Sequence, residues 1–316
     1  MIRAVTGMLV LEDGSVFTGR SMGADGEFVG EVVFNTSMTG YQEILSDPSY
    51  RGQMVVFTCP HIGNVGVNAR DAESDRPQVR AVLARQISET SSNWRAERPL
   101  LGWLREHGVP ALSGVDTRAL TLALRDRGVM RGALSTVDPD PVRLEAAARS
   151  AAVMSALCPV DEVAVEEPLA WNETLDGACD PPNAGPHVVV VDCGTKHHIL
   201  RHLAALGARV TVAPPDLATG EILALEPDGV LVGNGPGDPV QVPAAIAAVR
   251  GLLGRVPLFG ICLGHQIIAL AAGARTFKLP FGHHGGNHPV MNLATGRVEI
   301  TAQNHNYCVE QGSLAG

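Results

Sequence analysis

Hydrophobic and polar positions change rhythm twice along this chain. In residues 7–19, GMLVLEDGSVFTG, short apolar runs flank a central Asp13-Gly14 pair. That is the pattern of a hairpin with a tight turn. Residues 30–50, GEVVFNTSMTGYQEILSDPSY, pass from an apolar strand into a polar, glycine-punctuated stretch that reads as a loop. Residues 116–128, DTRALTLALRDRG, carry apolar side chains at helical spacing and stop at a glycine. The periodicity then fades. Residues 160–186, VDEVAVEEPLAWNETLDGACDPPNAGP, are acidic and rich in proline and glycine, so a linker is expected over 151–186.

From His187 the chain alternates short apolar runs with helical stretches. HVVVVDCG (187–194) contains the wholly apolar run of a strand buried on both faces. TKHHILRHLAALG (195–207) is a helix closed by glycine, ARVTVAPPD (208–216) a second strand, and DGVLVGNGPGDP (228–239) a third strand ending in a glycine loop. PAAIAAVRGLLG (243–254) is a helix, and VPLFGI (256–261) a fourth strand. The expectation is an α/β protein. An N-terminal mixed α/β domain covers residues 1–150, and a doubly wound parallel sheet with helices on both faces covers 187–316. Ligands of such sheets sit beyond the carboxyl ends of the strands. Both GNGPGDP and Cys262 fall there.

Composition narrows the class. With 316 residues, 45% of them hydrophobic, the chain can bury two cores. A net charge of −9 argues against a nucleic-acid or anionic-membrane surface. The opening MIRAVTGMLVLEDG lacks the apolar core and cleavage site of a signal peptide, and no apolar run is long enough to span a bilayer. The six cysteines, at 59, 158, 179, 193, 262 and 308, form no C-x-x-C pair. They read as intracellular thiols rather than a disulfide framework or zinc site. A soluble cytoplasmic protein is expected.

One cysteine stands apart. Gly260-Ile261-Cys262-Leu263-Gly264-His265-Gln266 runs from a strand through a sharp turn into a helix, the logic of a nucleophile elbow. Glycines two residues to either side let backbone segments approach closely. The turn puts the thiol at a helix N-terminus, where the macrodipole and free N–H groups favour a thiolate. The N–H of Leu263 is then a natural oxyanion donor. A lone cysteine is more often an inert core thiol; the flanking glycines and the strand-to-helix context favour the nucleophile.

This motif resembles that of class I glutamine amidotransferases. GEVVFNTSMTGYQEILSDPSY, PHIGNVGVN, NGPGDP, GICLGHQ, FGHHGGNHPV and ITAQNHNY together resemble the small, glutamine-hydrolysing subunits of carbamoyl-phosphate synthases, in the family's order from residue 30 to 307. The resemblance implies that the thiolate attacks the glutamine side-chain amide and forms a thioester. Ammonia is released and passes through a tunnel to a large subunit. There it meets carboxyphosphate, made from bicarbonate and ATP, to give carbamoyl phosphate for arginine and pyrimidine synthesis. No cofactor is implied for this subunit, ATP and magnesium belonging to the large one. The implied partners are that subunit and L-glutamine, with no nucleic acid or membrane. Consistently, the chain has no G-x-x-x-x-G-K-[ST] loop.

By matched position, the resemblance assigns glutamine binding to Ser49, Gly235, Gly237, Leu263, Gln266, Asn304, Asn306 and Tyr307. Taken singly, Ser49 is a turn serine, the Gly235-Pro236-Gly237 run an ordinary turn, and Gln266 a solvated helix residue. Asn306 stands where glycine is expected, and asparagine tolerates left-handed backbone better than most residues. His283, His284 and His288 invite a metal reading, but their spacing matches no known site, and none is assigned. The resemblance implies a structural loop there. His198 and His202, four apart on a helix, read as a surface face.

A cysteine nucleophile needs a base. The family supplies a His-x-Glu motif downstream of AQNHNY, and no such motif occurs before Gly316. His288-Pro289 is followed by Val290, and the candidate stand-ins His265, His283, His284 and His305 have no glutamate two residues on. The sequence-level expectation is therefore a fragment, its amidotransferase domain lacking its last strands and final helix, with very low glutaminase activity as it stands. Two alternatives remain at this point. One is a non-catalytic docking subunit. The other is an amidotransferase of GMP or anthranilate synthesis, against which the N-terminal domain argues.

Overall fold

Residues 7–19 fold into the expected hairpin. Strands β1 (Thr6–Leu11) and β2 (Val16–Ser21) pair antiparallel, with Val10 opposite Val16, and Gly14 at φ +86° makes the turn. The computed structural model describes residues 6–177 and 185–314; Cys179, the expected linker between 178 and 184, and the last two residues lie outside the described residues. Two compact units divide the chain, Met1–Val153 with Pro280–Asn306, and Met154–Leu279 with Tyr307–Gly316.

In the first unit β3 (Glu27–Asn35), β4 (Gln53–Phe57), β5 (Ala81–Ala84), β6 (Ala111–Ser113) and β7 (Met130–Ser135) join the hairpin in a closed barrel of order β1-β2-β6-β5-β4-β3-β7. β3, β4, β5 and β6 run parallel to their successive neighbours, and their residues alternate between two cores. Val32, Phe34, Met54, Val56 and Leu83 join Leu9 and Leu11 in one. Val33, Val55, Phe57, Val82 and Ala84 meet helices α1 (Tyr41–Ser46) and α2 (Leu100–Glu106) in the other.

α1 replaces part of the loop expected over 30–50. Gly40, at φ +77°, reverses the chain into the helix, and Tyr41 and Leu45, four apart, point inward. The polar residues between them hid a one-and-a-half-turn helix whose stability comes from packing rather than propensity. Helix α3 (Thr117–Arg127) forms as expected, capped by Asp116, whose side chain accepts from the N–H of Ala119. α4 (Pro141–Ser150) follows, capped by Asp140.

The second unit contains β8 (Leu169–Trp171), β9 (His187–Val191), α5 (His197–Ala205), β10 (Arg209–Ala213), α6 (Thr219–Ala224), β11 (Gly229–Val232), α7 (Pro243–Leu252), β12 (Leu258–Gly260) and α8 (Leu263–Ala271). The sheet order is β12-β11-β9-β10-β8, parallel except for β8. Val189 and Val191 pack with residues of α6, α7 and α8, whereas Val190 packs with Leu200 of α5. Helices thus cover both faces, as the sequence predicts. The strand order reverses between β9 and β11, which makes the carboxyl ends there the place for a ligand.

The segment expected as a linker is partly built into this unit. β8 pairs with β10, Val160 is buried in the core, and the N–H of Val165 donates to Asp192 Oδ2 at 2.9 Å. Widely spaced apolar residues among acidic ones gave no periodicity to read, yet each finds a place. A long hairpin, β13 (Thr276–Met291) and β14 (Val298–Val309), holds FGHHGGNHPV and AQNHNY, so the loop expected at FGHHGGNHPV is a strand. Gly282 at φ +70° interrupts the regular pattern that would have announced a strand. Among the described residues no helix is long and apolar enough to cross a membrane.

Replacing Val160 by alanine removes two buried methyl groups and should destabilise the second unit by about 2 kcal/mol. Chemical denaturation followed by Trp171 fluorescence measures this; an unchanged midpoint would show that the segment is a loose tether.

Candidate active site

Cys262 has φ +53° and ψ −109°. Among the described residues only Glu226 is another non-glycine with positive φ. Such a conformation costs on the order of 1–3 kcal/mol and persists only where its surroundings impose it. Here they do. The N–H of Ile261 donates to the carbonyl of Val232 in β11, and the N–H of Gly264 to that of Ile261, both at 3.0 Å. A Cβ on Gly260 would lie 2.5 Å from the carbonyl carbon of Gly264, and one on Gly264 would lie 2.0 Å from the carbonyl oxygen of Val232. Neither position has room for any side chain. The elbow read from the sequence is therefore present, with Cys262 at the N-cap of α8 and Leu263 its first residue. Leu263 buries its side chain in the core, while N–H groups in the first turn of a helix lack an intrahelical acceptor.

The neighbouring loops are fitted to this turn. A Cβ on Gly235 would meet the carbonyl oxygen of Cys193 at 2.0 Å and Leu263 Cδ2 at 2.9 Å; Gly237 has φ +89° and lies against Pro159. Asn234 ties the loop to the one after β9. Its Oδ1 accepts from the N–H of Lys196 at 3.0 Å, and its Nδ2 donates to the carbonyl of Gly194 at 3.1 Å. Asp192 Oδ1 accepts from the N–H groups of Gly194 and Thr195. Asn234 and Asp192 escaped the sequence reading. Their signal was a side chain able to cap a turn directly after an apolar strand.

Gln266 is buried rather than solvated, and its Nε2 donates to the carbonyl of Tyr307 at 2.7 Å. Tyr307 is itself buried. Cys262, Leu263, Gly235, Gly237, Gln266 and Tyr307 thus belong to the second unit.

Ser49, Asn304 and Asn306 belong to the first. Ser49 lies in the 3-10 turn Pro48–Tyr50, and its N–H donates to Asp47 Oδ1 at 2.9 Å. Asp47 Oδ2 accepts from Asn304 Nδ2 at 2.9 Å. Asp47, also missed in the sequence, thus ties Ser49 to Asn304. Asn306 does not use the left-handed backbone expected of it; it sits within β14.

The histidines divide by setting. His265 is exposed on α8. His283 Nδ1 and His305 Nε2 are 3.3 Å apart, and His284 is buried between Asn304 and Asn306. Burial, then the neighbouring His305 and His288, hold His283 below the usual imidazole range. Among the described residues no group of three or more His, Cys, Asp or Glu is arranged to hold a metal ion. His202 is exposed and His198 half-buried. Burial pushes the thiols of Cys59, Cys158, Cys193 and Cys308 up, away from the reactive thiolate form.

Residues 9–134 match the family "Carbamoyl-phosphate synthase small chain, CPSase domain", and residues 189–315 match "Glutamine amidotransferase class-I". The carbamoyl phosphate synthase small chain of Listeria innocua is 50% identical over 309 residues, which cover 98% of this chain and 82% of that one. That of Aquifex aeolicus is 48% identical over 316 residues, covering 98% and 84%. The chloroplastic small chain of Oryza sativa is 48% identical over 312 residues, covering 97% and 70%.

Gly264→Ala should force the elbow away from β11. The expected result is a loss of about 1–3 kcal/mol of stability and a marked slowing of Cys262 alkylation by iodoacetamide, read by mass spectrometry of the modified peptide. Wild-type alkylation kinetics in this variant would contradict the steric account.

Proposed function

We propose, on the premise that the chain belongs to the carbamoyl-phosphate synthase small-chain family, that Cys262 is the nucleophile of its glutamine amidotransferase activity. The observation that carries this reading is the strained Cys262 backbone at the head of α8. The thiolate attacks the side-chain carbonyl carbon of glutamine. The oxyanion that develops is held by the main-chain N–H of Leu263. The C–N bond breaks, the nitrogen takes up a proton and leaves as ammonia, and a thioester remains on Cys262. Water then adds to the thioester, the C–S bond breaks, and glutamate departs with the thiolate restored.

The remaining roles follow from matched positions and from what each residue can offer. Gly235 and Gly237 present main chain to the substrate, since neither carries a side chain that would block it. Gln266, with its amide nitrogen engaged on Tyr307, offers a carbonyl oxygen as acceptor. Ser49, Asn304, Asn306 and Tyr307 hold the amino-acid end of glutamine. The N-terminal unit docks a large subunit, which receives the ammonia and uses ATP and magnesium to make carbamoyl phosphate for arginine and pyrimidine synthesis. The complex works in the cytoplasm, which fits the free thiols of Cys59, Cys158 and Cys193.

The test is Cys262→Ser in the complex with the large subunit. Glutamine-dependent carbamoyl phosphate formation should fall to the level seen without the small subunit, because no other group makes the thioester. Formation from added ammonium should stay within about twofold of wild type. Equal loss of both would place Cys262 in the framework and not in the chemistry.

A further inference from the structure

His284 is almost fully buried, at 3% exposure, and both of its ring nitrogens face asparagine side chains. Nδ1 lies 2.8 Å from Asn304 Oδ1, and Nε2 lies 3.0 Å from the atom placed as Asn306 Oδ1. Asn304 in turn donates through Nδ2 to Asp47 Oδ2, and Asp47 Oδ1 accepts from the N–H of Ser49. An unbroken chain of hydrogen bonds therefore runs Ser49, Asp47, Asn304, His284, Asn306. Three of its five members are the residues assigned above to the amino-acid end of glutamine.

The chain has a direction. Carboxylate oxygens accept, so Asn304 must turn its NH2 toward Asp47 and its oxygen toward His284. That oxygen requires a proton on His284 Nδ1. Burial holds His284 below the usual imidazole range, so the ring is neutral and its Nε2 accepts. The Asn306 amide, placed with Oδ1 toward Nε2, has two ends of the same shape, and turned end for end it offers its NH2 to that lone pair. Asp47 thus dictates the orientation of Asn304 and the proton on His284 Nδ1.

The histidine is itself fixed. Its carbonyl accepts from the N–H of Thr36 at 3.0 Å and from Thr36 Oγ1 at 3.1 Å. Its ring lies 5.9 Å from that of Tyr50, whose hydroxyl accepts from Asn35 Nδ2 at 2.8 Å. Gly282 leaves the space: a Cβ there would lie 2.4 Å from Asn306 Oδ1 and 2.5 Å from His284 Nε2. A glycine at 306, expected from the family pattern, could not make the last bond. That link belongs to the asparagine this chain carries.

We propose that His284 is a positioning residue for glutamine binding: without touching the substrate, it locks Asn304 and Asn306 in register with Asp47 and Ser49. The proposal rests on the assignment of Ser49, Asn304 and Asn306 as glutamine contacts. It predicts that affinity for glutamine depends on the tautomer and reach of the residue at 284.

The test measures the glutamine Kd by titration calorimetry, with every variant in a Cys262→Ser background so that bound glutamine is not turned over. His284→Ala should weaken binding roughly tenfold, the order expected for losing hydrogen bonds that hold two contacts. His284→Asn, which places a donor near Nδ1, should recover most of the loss with Asn306 left loose. Asn306→Gly should weaken binding in the His284 protein and cost several-fold less in His284→Ala. Nitrogen-15 spectra of labelled histidine should show His284 protonated at Nδ1. A proton on Nε2 alone, an unchanged Kd in His284→Ala, or additive effects of the two variants each overturn the proposal. Should His284→Ala fail to fold, His284→Asn and the wild-type spectrum decide it. Asn304→Ala separates the two levels. If it binds glutamine like wild type, the site assignment falls and the proposal with it. If it weakens binding while His284→Ala does not, the assignment stands and only the proposal falls.

Discussion

The carboxyl end of the parallel sheet in the second unit depends on a steric constraint at one turn. The main chain at Cys262 is held in a conformation that residues with side chains rarely adopt, and it stays there because Gly260 and Gly264 have no Cβ to push the turn apart. Removing those two atoms lets α8 start directly against the carbonyl of Val232. The third strand, the fourth strand and the helix are thereby fixed to each other within a few residues of the thiol. Gly235 extends the same logic sideways, where its bare Cα sits against Cys193 and Leu263. The Cys262 thiol is placed here by what its neighbours lack.

Hydrogen bonding fixes what sterics leave loose. Asp192 and Asn234 turn the loops after β9 and β11 back on themselves and join them. Asp47 does the same for Ser49 and Asn304 in the first unit. In each case a short polar side chain, buried and fully engaged, converts a loop into a rigid support.

The elbow and the parallel sheet were legible in the sequence because both write short-range patterns. Apolar runs of strand length alternate with helical spacing, and two glycines bracket one cysteine. What escaped was encoded at long range or by context. The helix at Tyr41–Ser46 is too short and polar to show a period, and only the core beneath Tyr41 and Leu45 calls it into being. The segment from Met154 to Gly177 holds its place through isolated contacts, such as Val165 with Asp192 and Trp171 with β10. The glycine-rich and histidine-rich stretch FGHHGGNHPV of β13 shows no strand pattern, since glycine and asparagine are poor strand formers. His284 carried no local signal, because its two partners lie twenty and twenty-two residues further along.

The long hairpin has a consequence for how the protein is made. The first unit is discontinuous: its residues up to Val153 are completed by Pro280–Asn306. The N–H of Val129 donates to the carbonyl of Pro280, Phe281 stacks on Phe34, and Thr36 bonds to His284 across 248 positions. At translation rates of about 5–20 residues per second, these partners emerge on the order of ten seconds or more after the barrel strands they join. The whole of the parallel sheet is synthesised in that interval. For that interval the N-terminal strands stand without the Pro280–Asn306 segment that completes their unit.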